Sequence, residues 1–166
     1  NNINIFILHK NTVFFMKNIL LVGAGKSSSY IIKYLLEKSD EENIFLTIGD
    51  IDIENAKKLV PQPKKVNFVQ FDVFDKNQRK KYIEKCDIVI SMLPAKLHLK
   101  IAKDCLKLGK HLVTASYISK EMKALHKEVK EKGLVFMNEI GLDPGLDHIS
   151  AMRVIDRIRT NNAKLL

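Results

Sequence analysis

From Met16 onward the apolar positions fall into two alternating patterns. Short continuous apolar runs predict buried strands at residues 18–22 (NILLV), 44–48, 66–71, 87–93 (DIVISML), 111–115 and 134–138. Between them lie stretches whose apolar residues recur at helical spacing. Residues 27–38 place Ile31, Ile32, Leu35 and Leu36 on one face. Further helices are expected at 54–60 (stopped by Pro61), 76–85, 97–108 (ended by Gly109) and 119–132 (capped by Ser119, ended by Gly133). After the turn-rich GLDPG, residues 146–159 carry Ile149, Met152, Ile155 and Ile158 on one face. Strict alternation of apolar strands with helices predicts an α/β fold, a doubly wound parallel sheet covered on both faces.

Residues 1–15 (NNINIFILHKNTVFF) precede this pattern. They are apolar, but lack the basic start and small-residue cleavage site of a signal peptide. Met16 reads as the natural start and 1–15 as a leader outside the native structure; the alternative is an extra edge strand at 3–8. Residues 16–145 form the expected dinucleotide-binding domain. Residues 146–166 are expected to be a helix leading into a substrate domain that this sequence lacks.

Composition narrows the picture only a little. With 46% hydrophobic and 28% charged residues the balance is that of an ordinary globular domain. No apolar run reaches the ~18 residues of a membrane span. The net charge of +9 is mostly lysine, interleaved with acidic residues as in LEKSDEEN, a solvated surface rather than a nucleic-acid face. Such a field suits an anionic small molecule. Cys86 and Cys105 match no metal-ligand spacing and read as reduced thiols of a cytoplasmic protein.

The sharpest local chemistry is Gly23-Ala24-Gly25-Lys26-Ser27-Ser28, between a buried strand and a helix. In that context Gly23 permits the tight turn, and Gly25 lets a pyrophosphate approach the backbone. The helix start, from Lys26, Ser27 and Ser28, offers N–H groups and hydroxyls to the phosphates. Ser28 replaces a third glycine. Asp50, followed by Ile51, ends the second strand, where a carboxylate accepts from ribose hydroxyls and repels a 2′-phosphate, or only turns or caps the chain; on the first reading NAD is expected over NADP. Asp72 and Val73 end the third strand and either flank the adenine or simply turn the chain. Ser91, Met92, Leu93 and Pro94 end the fourth strand and wall the nicotinamide side.

Three runs carry a family pattern: residues 89–98 (VISMLPAKLH), 113–119 (VTASYIS) and 135–148 (VFMNEIGLDPGLDH). Together they resemble saccharopine dehydrogenase of the glutamate-forming type, across most of the chain after the leader. The resemblance implies a nicotinamide-linked oxidoreductase of lysine metabolism acting on the C–N bond of saccharopine, giving glutamate and aminoadipate semialdehyde or running in reverse. It also implies a longer enzyme whose substrate domain supplies further cations, and it allows a homodimer of that enzyme. This sequence departs from the fungal pattern at Asp50, where a basic residue suits NADP, and at Ala95-Lys96, where an aromatic follows the proline.

The substrate-side candidates are Lys96, His98, Tyr117, Gly141, Asp143, Pro144 and Gly145. Lys96 is a carboxylate ligand or a solvated lysine. Asp143 orients an amine or a water, or only turns the chain. His148 is the acid–base candidate, because histidine titrates near neutral pH; Asp147 reads as a helix cap and Glu139 as a brace for the loop. No metal site is expected, and a small amino-acid substrate is the expected partner. Two other readings stay open: a carboxynorspermidine synthase-like condensing enzyme, and a non-catalytic NAD-sensing module.

Overall fold

The computed structural model describes residues 16–58, 60 and 65–160; the expectations for residues 1–15 and 161–166 lie outside them. Six strands form one sheet: β1 (Lys17–Val22), β2 (Ile44–Asp50), β3 (Val66–Gln70), β4 (Ile88–Ser91), β5 (His111–Thr114) and β6 (Phe136–Met137). All neighbours are parallel, in the order β3-β2-β1-β4-β5-β6. The chain leaves one edge after β3 and returns beside β1 as β4, so the strand order reverses between β1 and β4. That is the doubly wound order, in which ligands bind outside the carboxyl ends of the strands.

Both faces of the sheet are covered, which is why the central strands read as unbroken apolar runs. Leu20, Val22, Val89 and Leu112 face α3 (Lys76–Ile83), α4 (Ala95–Leu108) and α5 (Lys120–Ala124), meeting Ile83, Ile101 and Met122. Ile19, Leu21, Leu46, Ile48 and Ile90 face α1 (Ser29–Glu37) and α2 (Ile53–Lys58), meeting Ile32, Leu35 and Ala56. Asp75 caps α3 by accepting from the N–H groups of Asn77 and Gln78, and Gly109 ends α4 at φ +67°. Burial pushes the Cys86 thiol up to about 12 and raises Cys105 too, so both free thiols are unreactive core groups.

The main departures from the expected elements are three. The helix expected from residue 27 begins as a tight 3-10 turn, Lys26–Ser28, before α1. The helix expected over 119–132 is two, α5 and α6 (His126–Glu131), because the ladder slips to i−3 where the Leu125 N–H reaches the Met122 carbonyl. β6 has only two paired residues. The final helix, α7 (Leu146–Thr160), has no buried residue.

Candidate functional site

The turn after β1 is set by its backbone. Gly23 sits at φ +96°, and a Cβ there would lie 3.0 Å from the Met92 carbonyl group, so glycine is required. Gly25 differs: its φ is −74°, and a Cβ there would meet nothing within 4 Å. Nothing in the protein demands glycine at 25, and the open space above it is what a phosphate approaching the backbone needs. Asp50 holds the turn from the side. Its Oδ2 accepts the Ala24 N–H at 2.5 Å and its Oδ1 accepts the Asp52 N–H at 2.8 Å.

The serines divide their labour. Ser28 is buried and its hydroxyl donates to the Gly25 carbonyl at 2.6 Å; the Ser29 hydroxyl donates to the Lys26 carbonyl at 3.0 Å. Ser28 therefore fills the third-glycine position as a packed internal brace. Lys26 and Ser27 are exposed at the mouth of the turn.

Beside the turn lies a cavity of about 200 Å³, walled by Asp50, Ile51, Phe71, Asp72, Val73, Phe74 and Leu93 among others. Ile51 and Phe74 are large apolar side chains left exposed there, 69% and 68%. The loop that carries Asp72 and Val73 is fastened from α3. The Asp72 N–H donates to Gln78 Oε1 at 2.9 Å, and Asp72 Oδ1 accepts the Phe74 N–H at 2.8 Å. Arg79 donates to the Val73 carbonyl at 2.7 Å while pairing with Asp104 at 2.6 Å, nearly buried on both sides. Phe71, Phe74 and Arg79 had no local sequence signal. Only the strand order places them at this edge.

A second cavity, about 450 Å³, opens between α4 and α5. Lys96, His98, Thr114, Tyr117, Glu121 and Asn138 contribute to its lining. Lys96 is exposed on the first turn of α4, without an ion pair to a described residue. His98 is 4% exposed, and both ring nitrogens are occupied: Nδ1 by the Ser91 hydroxyl and Nε2 by the Ser116 hydroxyl, each at 2.8 Å. Burial holds its pKa below the ordinary 6.5, so it stays neutral.

The GLDPG loop closes on itself. Gly141 N–H donates to the Pro144 carbonyl, and Leu146 N–H to the Gly141 carbonyl, both at 2.9 Å. A Cβ on Gly145 would collide with the Gly141 backbone, and one on Gly141 would crowd the Ala115 carbonyl at 3.0 Å, so the loop demands glycine at 145 and the segment after β5 presses on 141. Tyr117 donates to Asp143 Oδ1 at 2.6 Å, and that bond to an anion pushes the phenol up to about 12. His148 stands edge-on to Tyr117, ring centres 6.4 Å apart, with Nδ1 2.8 Å from Asp147 Oδ1. The Asp147 carboxylate also accepts the Gly145 N–H at 2.9 Å, reaching back across the start of α7. Glu139, at φ +63°, accepts the Ile118 N–H at 3.0 Å and ties the loop to the segment after β5. The structure thus brings Tyr117, Asp143, Asp147 and His148 together; His98 bonds to none of them, but lines the same cavity as Tyr117.

Sheet order and glycine turn define a Rossmann-like dinucleotide-binding domain. Among the described residues no cluster fit to hold a metal is present, and no helix is long and apolar enough to cross a membrane. A family model described as the saccharopine dehydrogenase NADP binding domain matches residues 19–137, and the chain belongs to that family. It is 38% identical over 141 residues to mouse mitochondrial alpha-aminoadipic semialdehyde synthase, covering 84% of this chain and 15% of that one. It is 34% identical over 149 residues to the L-glutamate-forming, NADP(+) saccharopine dehydrogenase of Saccharomyces cerevisiae, covering 90% and 32%. The structure of apo saccharopine dehydrogenase (L-Glu forming) from that yeast superposes with a TM-score of 0.76 at 34% identity, over 87% of this chain and 32% of the other. The chain thus spans under a third of the yeast protein and about a seventh of the mouse one. These names give no support to NAD as the preferred cofactor, since the family model and the yeast relative are both named for NADP. They also leave the cytoplasmic expectation unsupported, because the mouse relative is mitochondrial.

Proposed function

We propose that this chain is the dinucleotide-binding part of an oxidoreductase that moves a hydride between a nicotinamide and the C–N bond of saccharopine. The products are glutamate and aminoadipate semialdehyde, or the reaction runs in reverse. The observation that carries this reading is the pairing of a glycine demanded by the fold, Gly23, with one that the fold does not demand, Gly25. Family membership and the names of the yeast and mouse relatives support the substrate. They do not favour the condensing-enzyme or NAD-sensing readings.

Bound over the turn, the cofactor's nicotinamide accepts or supplies the hydride. The protein's part is orientation and charge. Gly23, Gly25, Lys26 and Ser27 face the pyrophosphate, with Ser28 bracing the turn from within. Ile51, Asp72, Val73 and Phe74 enclose the adenine. Ser91, Met92, Leu93 and Pro94 wall the nicotinamide side. Asp143 Oδ1 is fixed by Tyr117, which leaves Oδ2 to orient the substrate amine or a water. His148, anchored through Nδ1 to Asp147, exchanges a proton at Nε2. Lys96 faces a substrate carboxylate at the mouth of the larger cavity. α7 leads toward the substrate domain of the longer enzyme, which supplies the remaining cations and the contacts of a homodimer. The two buried free thiols suit a reducing compartment, and the cytosol is the one proposed.

The finer cofactor choice is NAD, and it rests on Asp50 of this chain against the NADP in the family's name. Calorimetric titration with NADH and NADPH tests it. NADH should bind more tightly, and Asp50→Arg should reverse the order. Equal binding, or preference for NADPH, removes the NAD assignment but leaves the dinucleotide site standing. A folded chain that binds neither removes the site.

A further inference from the structure

The fork between β4 and β5 contains a side chain with no obvious reason to be polar. β4 and β5 pair in register up to Ser91 and Thr114. Beyond that rung the two chains separate, one into Met92-Leu93-Pro94 and α4, the other into Ala115-Ser116-Tyr117. His98, one turn into α4, spans the gap. Its imidazole joins the hydroxyl of Ser91, the last residue of β4, to that of Ser116, which immediately precedes Tyr117. Ser91 is fully buried and His98 nearly so.

A leucine or methionine would fill the same volume without burying an imidazole, whose two ring nitrogens cost free energy unless each is hydrogen-bonded. Here each is. A neutral imidazole has one N–H and one lone pair, so one serine donates to the ring and the other accepts from it. The bridge therefore couples the ring's tautomer to the orientation of both hydroxyls. One end of it is the wall read as the nicotinamide side. The other is the backbone that aims Tyr117 at Asp143.

We propose that His98 is a positioning residue: the Ser91–His98–Ser116 bridge sets the separation between the nicotinamide wall and the substrate-side loop. The proposal rests on the dinucleotide reading above. His98 touches no reacting atom in this role. It acts through the two serines, and it is independent of which amine substrate the longer enzyme takes.

The test is saturation-transfer NMR of this chain with NADH, which reads the adenine and nicotinamide protons of one ligand separately. Three variants divide the bridge. His98→Phe removes both arms, His98→Asn keeps reach only toward Ser91, and His98→Gln keeps reach only toward Ser116. Each should retain the adenine signal while the nicotinamide signal falls, about fivefold for His98→Asn and His98→Gln, the worth of one neutral hydrogen bond, and further for His98→Phe, which loses two. Should the His98 variants fail to melt cooperatively, Ser116→Ala, at a half-buried position that gives up a single bond, carries the same expectation.

Unchanged nicotinamide transfer in folded variants overturns the proposal. So does a parallel loss at both ends of the ligand that tracks melting temperature, the signature of a merely structural histidine. A wild-type chain that shows adenine transfer but none from the nicotinamide also overturns it, because nothing would then be positioned. A folded wild-type chain that binds neither NADH nor NADPH overturns the dinucleotide reading itself, and this proposal with it.

Discussion

The two ends of the sheet's carboxyl edge are built on different principles. At the β1–β2–β3 end, the proposed ligand surface is backbone held by other backbone and by nearly buried side chains. Gly23 lies against Met92, Asp50 holds Ala24, and the Arg79–Asp104 pair holds Val73. At the β6 end, the GLDPG loop is closed by its own carbonyls, but the groups around it are exposed pairs: Tyr117 with Asp143, and His148 with Asp147. α7 continues from there with Ile149 67% and Met152 46% exposed, and no residue buried. The β1–β2–β3 end, where we propose the nucleotide binds, is braced by contacts that lie within the described residues. The substrate end presents side chains from a surface that those residues do not cover.

This contrast is open to attack by mutation. The largest effect is expected from Arg79→Ala, which strands the nearly buried Asp104 carboxylate and the Val73 carbonyl. Urea denaturation should show a loss of about 3 kcal/mol, together with weaker NADH binding; a loss below about 1 kcal/mol would mean the pair is not buried in solution. Gly23→Ala comes next. Forcing a side chain to φ +96° against the Met92 carbonyl should cost about 2 kcal/mol in the same assay. At the other end, Met152→Lys should stay within about 0.5 kcal/mol of the parent. A cost as large as that of Gly23→Ala would show that α7 is packed after all, and would erase the comparison.

Two smaller effects are electrostatic. His98 is neutral in the native chain with its pKa below 6.5, whereas in the unfolded chain it takes up a proton at about 6.5. The unfolded state therefore binds more protons in that window. The stabilising contribution is complete above pH 6.5 and is lost as pH falls through 6.5 toward the native pKa. Melting curves should show this acid-side decline in the wild type and a shallower one in His98→Phe. Lys96 and Glu121 line the same cavity and are present in both chains, so the difference isolates the imidazole. Tyrosine absorbance should show one of the four phenols ionising late, near 12, and Asp143→Asn should bring it back toward 10. A fourth phenol already ionising near 10 in the parent would break the Tyr117–Asp143 pair.

How far the sequence could be read follows from the range of each signal. The central strands β1 and β4 were visible because burial on both faces makes each an apolar run, and the glycine turn because its parts lie within six residues. Within the site, Gly23, Gly25 and Asp50 were found through spacing along a known strand–turn–helix unit. The inward turn of the Ser28 hydroxyl was not legible, since serine suits a packed brace and a phosphate donor equally well. Nor was the isolation of His98, whose partners lie seven residues before it and eighteen after, joined only through the β4–β5 pairing. The break at Leu125 was hidden because the apolar spacing of residues 119–132 continues through it.

Gly25→Val followed by NADH titration tests the central claim most directly. Its extended φ suits valine, and a Cβ there meets no protein atom within 4 Å, so the variant should melt as the parent does. The account predicts that it binds no NADH, because the space belongs to the pyrophosphate. A Gly25→Val chain that melts normally and binds NADH as the parent does would contradict it.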